Sequence, residues 1–289
     1  MGKIIQRVLQ PEYIIKTLGR SPENDYPVDL STKVPTLPES FSMVIHAAGK
    51  AHIIPRTEKE ATEFFSINVL GTKNLLAGLE RATVLPEAFV FISTIAVYGE
   101  TAGEGIDESW PLAGTTPYAS SKIQAEEQIT TWCKKHQVAL TVLRLPLLVG
   151  KNAPGNLGDM IRMMRKRLYM GVGRGEARKS MVLAEDVARF IPQVATMGGT
   201  FNLTDGQHPA MCEVENALAV ALGRKRIIRL PYGLLAVVAR VGDVLGQWFP
   251  LNTLRLKKLD SSLTFSDNRA RQIAGWNPLP VVENLKDCV

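Results

Sequence analysis

The first half of the chain alternates short apolar runs with helix-like patterns, and this alternation restricts the fold more than any other feature of the sequence. The apolar runs lie at residues 13–18, 43–48, 89–93 and 138–145. Helical patterns cover residues 1–9, about 60–81 and 117–136. Strands that alternate with helices predict a parallel sheet with helices on both faces. We therefore predict an α/β fold with a doubly wound parallel sheet, which binds its ligands at the carboxyl ends of the strands.

The pattern changes after Gly150. A basic helix is predicted over about 157–167 and a Gly-rich loop over 171–175, followed by short strands at 181–183 and 200–203 and a mostly helical remainder. We predict two domains: a sheet domain of residues 1–150 with about 181–207, and a smaller, mainly helical domain of about 151–180 with 208–289.

Composition narrows the class of protein. The 289 residues carry a formal net charge of +6, with a pI of about 9.2. Such a field suits an enzyme that attracts anionic substrates as well as a nucleic-acid binder. The charges are scattered except for one basic group, made of Arg162, Arg165, Lys166, Arg167, Arg174, Arg178 and Lys179. The charge alone leaves both classes open; the motifs described below favour an anionic substrate and no nucleic-acid partner.

The sequence predicts no metal site. Cys133, Cys212 and Cys288 are too few and too far apart for a disulfide framework or a Cys-based metal site. His46 and His52 have no carboxylate or Cys partner at metal-ligand spacing.

Residues 232–250 are apolar enough to raise the question of a membrane. They include Arg240, Asp243 and Gln247, which are costly inside a bilayer. An amphipathic helix packed on the protein is the favoured interpretation, and a surface membrane anchor is the alternative. Because no N-terminal targeting pattern is present, we predict a cytoplasmic protein without a transmembrane segment.

Tyr118 and Lys122 give the strongest local signal for chemistry. Thr116 can cap their helix and Pro117 suits its first position, so Tyr118 and Lys122 lie four residues apart on one helical face. A free phenol has a pKa of about 10, and a neighbouring ammonium can lower that pKa by ~1–3 units. The pair therefore predicts an acid/base unit that moves a hydroxyl proton. Taken alone, this spacing is also common by chance.

Two predicted strand ends add context. Ser93 and Thr94 end one strand with hydroxyl groups. Ala47, Ala48 and Gly49 end another with small residues, which let a ligand approach the backbone. Residues 68–76 (NVLGTKNLL) lie on the helix between these strands.

In this order and spacing, the segments resemble the extended short-chain dehydrogenase/reductase family, in particular its NAD-dependent epimerase/dehydratase branch, which acts on nucleotide sugars. The resemblance runs from Gly2 to the turn at 275–278. It implies a Rossmann-type fold and an enzyme that uses NAD or NADP. It also implies that Thr94, Tyr118 and Lys122 are the catalytic set. Tyr118 would shuttle the proton, Lys122 would lower the pKa of Tyr118 and hold the nicotinamide ribose, and Thr94 would hydrogen-bond the reacting oxygen.

The resemblance further implies two sets of ligand-binding residues. The cofactor set is Gly2, Arg20, Asp29, Leu30, Ala47, Ala48, Gly49, Lys122 and Pro146. The substrate set is Asn156, Arg178 and Lys179, with the cations beside a diphosphate. Because Arg20 suits a 2′-phosphate and no acid follows the second strand, NADP is slightly preferred. A merely solvated Arg20 is the alternative.

The chain departs from the family pattern at two places. Ile95 and Ala96 stand where sugar dehydratases of the family carry an Asp-Glu pair, which disfavours dehydration. Residues 1–9 already resemble the first helix, with Gly2 as the last glycine of the pyrophosphate turn. The first strand and most of that turn are therefore missing, which we interpret as a late or truncated start.

Three functions remain open at this point. The favoured one is a nucleotide-sugar epimerase or 4-keto reductase in surface-polysaccharide precursor synthesis. The alternatives are an NADPH-dependent reductase of a non-nucleotide ketone and a catalytically impaired homologue. A homodimer is the assembly left open.

Overall fold

The computed structural model describes residues 1–51, 53–151, 153, 155–224, 227–245 and 252–288. The helices are α1 (Gly2–Leu9), α2 (Glu58–Phe65), α3 (Gly71–Leu79), α4 (Pro117–His136), α5 (Gly155–Arg165), α6 (Ala184–Val194), α7 (Met211–Ala221), α8 (Tyr232–Leu245), α9 (Thr253–Asp260), α10 (Asn268–Ala274) and α11 (Val281–Asn284). The strands are β1 (Leu18–Gly19), β2 (Tyr26–Pro27), β3 (Met43–His46), β4 (Ala88–Thr94), β5 (Gly103–Ile106), β6 (Ala139–Leu145), β7 (Leu147–Val149), β8 (Gly171–Val172), β9 (Met181–Leu183), β10 (Gly199–Asn202), β11 (Arg229–Leu230) and β12 (Leu263–Phe265). A π-helix at Ser66–Leu70 joins α2 to α3, and 3-10 helices cover Ile95–Tyr98 and Leu285–Cys288.

The central sheet has four parallel strands in the order β10-β6-β4-β3. All seven residues of β4 are buried, as a continuous apolar run in a parallel sheet predicts. Helices cover both faces. On one face, side chains of α1 and α6, including Ile5 and Ile191, form a core with β4, β6 and β10. On the other face, α3 and α4 contribute Leu79 and Ile129 to a second core beneath Phe89 and Phe91. The predicted doubly wound α/β fold is confirmed.

The predicted strand at 13–18 is wrong over most of its length. Only Leu18–Gly19 is extended and paired, with Tyr26–Pro27 as its partner. A strand exists through the hydrogen bonds of a neighbour. The Thr17 carbonyl oxygen still accepts from the N–H of Tyr26 at 2.9 Å, but among the described residues no strand pairs with residues 14–16. The predicted strand at 181–183 agrees with the structure, and the others differ by one or two residues at their ends. The largest difference is at β3, which ends at His46 and leaves residues 47–49 as a loop.

A further core lies outside the sheet. It joins α5, α7 and α11 to β7 and β9 through buried side chains that include Leu157, Met181, Leu218 and Leu285. The division into two domains stays a prediction. The predicted amphipathic helix at 232–250 is α8 as far as Leu245, and its remainder lies outside the described residues. None of the helices described is both long and apolar enough to cross a bilayer.

Candidate active site

Thr94 is the last residue of β4, at the carboxyl edge of the sheet. Its hydroxyl oxygen accepts a hydrogen bond from the backbone N–H of Ala96 at 3.2 Å and so caps the 3-10 helix Ile95–Tyr98. The side chain is thereby fixed in direction. The structure places Thr94 at the edge where parallel sheets bind their ligands, and its catalytic role stays a prediction.

Helix α4 positions the predicted acid/base pair, and its ends follow from local sequence. Thr116 caps the first turn by accepting a hydrogen bond from the N–H of Ala119 at 3.2 Å, and Pro117 occupies the first turn. Gln137 ends the helix in the left-handed conformation, with a φ of 57°. Tyr118 therefore stands one turn before Lys122 on a helix whose N-terminus approaches the end of β4.

The hydroxyl of Thr94 lies near enough to the phenol of Tyr118 to influence its pKa. Burial raises the pKa of Tyr118, and the interaction with the Thr94 hydroxyl opposes that rise. The predicted lowering of the Tyr118 pKa by Lys122 is therefore not found in this structure. The physical reason is that the ring is desolvated while the Lys122 ammonium is directed elsewhere.

Lys122 is buried against β4. Its ammonium donates a hydrogen bond to the carbonyl oxygen of Ile92 at 2.7 Å and lies 3.8 Å from the ring centroid of Phe91. Burial lowers the pKa of Lys122 from 10.5 to about 7, and the charge of Glu126 opposes that shift. A Lys that titrates near neutrality can exchange a proton at working pH.

We expect the wild type to lose stability relative to the Lys122→Met variant as the pH falls from 9 to 7. The unfolded chain protonates Lys122 below its ordinary pKa, whereas the folded chain protonates it only near pH 7, so wild-type stability falls across this window. The change in relative free energy of unfolding should be roughly 2–3 kcal/mol. Urea denaturation at several pH values measures it. The exposed Lys134→Met is the matched control, and a pH-independent difference for Lys122→Met would contradict the expectation.

Asn68 is a site residue whose role the sequence analysis missed. It lies in the π-helix, and its amide group donates to the Ser121 hydroxyl of α4 at 2.9 Å and to the carbonyl oxygen of Lys50 at 3.1 Å. Its amide oxygen accepts from the N–H of Lys50 at 2.7 Å. The side chain thus ties the loop after β3 to the helix that carries Tyr118. A buried Asn among apolar residues of a helical pattern was the signal available in the sequence.

A buried ion pair supports the same region, and the sequence analysis missed it as well. Arg144 of β6 donates to Glu126 of α4 at 2.7 Å, and these side chains are only 8% and 7% exposed. Arg144 also donates to the Tyr98 hydroxyl at 3.1 Å. The Ser93 hydroxyl donates to Glu126, so it points into this network and not toward a ligand.

The loop after β3 suits the predicted cofactor. Ala48 and Gly49 are exposed and Ala47 is half-buried. A Cβ at Gly49 would lie only 3.0 Å from the amide oxygen of Asn68, so a side chain there would disturb that contact. Small residues held in this way leave the backbone open to a dinucleotide. The residues present therefore fit a nicotinamide cofactor.

The remaining predicted cofactor residues lie on several different elements. Arg20 is exposed at the end of β1, and its charge contributes to lowering the pKa of Asp29, after larger contributions from hydrogen bonds to Ser31. Leu30 is buried, and its carbonyl oxygen accepts from the Asn74 side chain at 2.7 Å. Gly2 begins α1, and Pro146 lies between β6 and β7.

The predicted substrate residues lie in the later part of the chain and are not joined to Tyr118 by hydrogen bonds. Asn156 is exposed on α5. Arg178 donates to the carbonyl oxygen of His208 at 3.1 Å. The Lys179 ammonium donates to the carbonyl oxygens of Ser261 at 2.6 Å and Lys258 at 3.1 Å, so backbone groups already satisfy part of its hydrogen-bonding capacity.

His46 is a core residue in the structure. Its ring is hydrogen-bonded to the Thr72 hydroxyl at 2.9 Å, and burial lowers its pKa to about 3. His52 lies outside the described residues.

Comparison with known proteins identifies the family. The sequence profile described as NAD dependent epimerase/dehydratase family matches residues 28–203, more than half of the chain. The chain belongs to this family. Membership makes it an NAD(P)-dependent enzyme of the nucleotide-sugar epimerase/dehydratase type, as the sequence motifs predicted.

Family members of known activity show what the chain is similar to. The N-acetyl-alpha-D-glucosaminyl-diphospho-ditrans,octacis-undecaprenol 4-epimerase of Escherichia coli O157:H7 is 29% identical over 238 residues, which are 77% of this chain and 70% of that protein. The UDP-glucose 4-epimerase of Vibrio cholerae is 23% identical over 286 residues, 93% and 84% of the two chains. In fold, the structure of RMD from Pseudomonas aeruginosa complexed with NADPH matches with a TM-score of 0.70 at 21% identity, over 99% of this chain and 93% of that one.

Proposed function

We propose that this chain is an NAD(P)-dependent epimerase or 4-keto reductase whose substrate is a nucleotide sugar. Its product would be a precursor of a surface polysaccharide. The observation that carries the proposal is the placement of Thr94 and Tyr118 together at the carboxyl edge of the sheet, where β3 leads into the small-residue loop 47–49 beside β4. The arrangement suits oxidation or reduction of a carbon that bears a hydroxyl group.

Each residue of the pair has a separate task in this proposal. The Tyr118 oxygen gives a proton to, or takes one from, the reacting sugar oxygen, and Thr94 hydrogen-bonds that same oxygen to orient it. Lys122 supplies positive charge beneath the site when it is protonated. When bound, the nicotinamide cofactor supplies or accepts the hydride. Ala47, Ala48 and Gly49 would hold it close to the sheet.

Ile95 and Ala96 argue against dehydration. Elimination of water from the sugar needs an additional acid and base beside the reacting carbons, and neither side chain can carry a proton. The backbone N–H of Ala96 is also occupied by Thr94. Epimerisation and reduction need only the Tyr118 oxygen and the cofactor, so these two reactions are retained.

The substrate class rests on Asn156, Arg178 and Lys179 together with the relatives. Two of the relatives compared above are 4-epimerases of sugars attached through a diphosphate, and cationic side chains favour that group. A reductase of a ketone without a nucleotide is the second candidate. One observation favours it: the Lys179 ammonium already donates to two backbone carbonyl oxygens, which leaves it less free to bind a diphosphate.

Mass spectrometry of the products tests the proposed reaction. With UDP- or dTDP-hexoses and NAD(P), we expect an epimerase to yield a product of unchanged mass whose inverted C4 configuration is read by NMR. With UDP- or dTDP-4-keto-hexoses and NAD(P)H, we expect a reductase to yield a product heavier by two hydrogens, with NAD(P)H consumed. A product that has lost water would contradict the proposal. Turnover of a simple ketone but no nucleotide sugar would favour the second candidate.

The proposed preference for NADP rests on Arg20. Its exposed guanidinium at the end of β1 suits a 2′-phosphate, and Asp29 lies close enough for their charges to interact. Arg20→Ala is expected to weaken NADPH binding selectively, which calorimetric titration with NADH and NADPH measures. Arg7→Ala on α1 is the control. Equal effects on the binding of NADH and NADPH would mean that Arg20 does not bind the 2′-phosphate.

A further inference from the structure

Helix α8 has one face that is buried and another that exposes an apolar stripe. Leu235 and Ala239 are buried in a small cluster with Leu256 of α9. The opposite side carries large apolar side chains spaced three, four and seven residues apart, which places them on one helical face. This α8 stripe consists of Leu234, Val237, Val241, Val244 and Leu245, exposed by 54%, 58%, 50%, 87% and 55%.

Charge is distributed unevenly along the chain, and the stripe belongs to the positive part. Residues 151–180 and 208–289 contain 19 Lys and Arg against 9 Asp and Glu, a net charge of +10. The rest of the chain contains 15 against 19, a net charge of −4. A separation of this size marks an interaction with an anionic surface or ligand.

Exposed basic side chains lie on the helix packed against α8 and on the segment that precedes β8. Lys257 and Lys258 are exposed on α9, which packs against α8. At the other end of α8, strand β11 pairs with β8, and there Met170 and Ile228 expose further apolar surface. The exposed residues 165–167 (RKR) precede β8 in the chain, separated from it by residues 168–170.

We propose that the α8 stripe docks the protein on a membrane surface that contains anionic lipids. An amphipathic helix with apolar residues on one side and Lys and Arg beside it lies in the plane of the headgroups, with its apolar side inserted among the acyl chains. Each Lys or Arg near such a surface adds attraction. The stripe thus matches the acyl chains of the membrane, and the positive charge matches its anionic headgroups.

Two other partners fit less well. A second copy of the chain seated on the stripe would bring two regions of net charge +10 together, which like-charge repulsion opposes. A nucleic acid would match the charge, but its binding surfaces are polar and basic and have no use for an exposed row of Leu and Val.

Sedimentation with lipid vesicles tests the proposal without substrate or cofactor, so its result is independent of the proposed enzymatic function. We expect the protein to bind vesicles of phosphatidylcholine mixed with phosphatidylglycerol more strongly than phosphatidylcholine alone, and less as salt is raised. The triple variant Val237→Ser, Val241→Ser, Val244→Ser should lower the partition coefficient by about tenfold or more. The pair Lys257→Gln, Lys258→Gln should lower it by about tenfold on the mixed vesicles only.

Val84→Ser is the matched control, because Val84 is 59% exposed but lies in the turn after α3. It should leave vesicle binding unchanged. Thermal melting of each variant separates lost binding from lost folding, and Val244→Ser alone, at the most exposed position, serves if the triple variant unfolds. Absence of vesicle binding, or binding that the stripe variants leave unchanged, would overturn the proposal. So would a dimer that the stripe variants dissociate, or salt-dependent binding of RNA with no vesicle binding.

Discussion

Tyr118→Phe is expected to lower kcat by about 10²–10⁴-fold, the usual contribution of general acid/base catalysis. The substitution removes the one oxygen proposed to carry the proton and keeps the ring, which packs 6.1 Å from the ring of Phe64, centroid to centroid. Substrate affinity and the melting temperature should therefore change little. Steady-state kinetics of the protein with the substrate found by product analysis measures the effect.

Two comparisons make this result specific. Tyr13→Phe, a distant half-exposed ring, should leave kcat unchanged. Thr94→Val should lower kcat as well, because the hydrogen bond that orients the reacting oxygen is lost. Full activity of Tyr118→Phe would remove Tyr118 from the proton pathway.

Glu126→Gln is expected to lower the free energy of unfolding by about 3–5 kcal/mol, because it leaves the buried Arg144 cation without its anion. Both side chains are almost fully buried, and Arg144 reaches Glu126 through two of its nitrogens, at 2.7 and 3.3 Å. Urea denaturation measures the loss.

The control for this substitution is an exposed ion pair of similar chemistry. Arg189 and Glu185 are 56% and 45% exposed, so Glu185→Gln should cost less than about 1 kcal/mol. The double variant Glu126→Leu, Arg144→Met should recover most of the stability, because both charges are removed together. A loss below about 1 kcal/mol for Glu126→Gln would mean that solvent reaches the pair.

The features predicted best from the sequence are those that depend on residues adjacent in the chain. Helix α4 begins at Pro117 and ends at His136, as predicted, because Thr116 caps it and the residues that stop it are adjacent in the chain. The buried β4 was predicted within one residue at each end because an apolar run of that length in an α/β chain has few alternatives. The family resemblance rested on the same local motifs.

The remainder depends on partners far away in the sequence. The interpretation of residues 13–18 as a strand was wrong over most of its length because a strand needs a neighbouring strand to pair with. The local sequence pattern does not indicate whether such a strand is present. The contact between Arg144 and Glu126 joins a strand to a helix, and the sequence around either residue gives no indication of this pairing. Lys122 was expected to act on Tyr118 from its helical spacing, but tertiary burial directs its ammonium to Ile92.

The π-helix at Ser66–Leu70 has a consequence for insertions and deletions. A π-turn is a helical turn widened by one residue, so deleting a single residue from this segment would restore regular helix while keeping α2 and α3 continuous. The shortened chain could still fold, but Asn68 would lose the bulge that lets its amide reach both Lys50 and Ser121. Among homologous sequences, a one-residue gap at this place would therefore separate proteins that keep the connection across the site from proteins that keep only the fold.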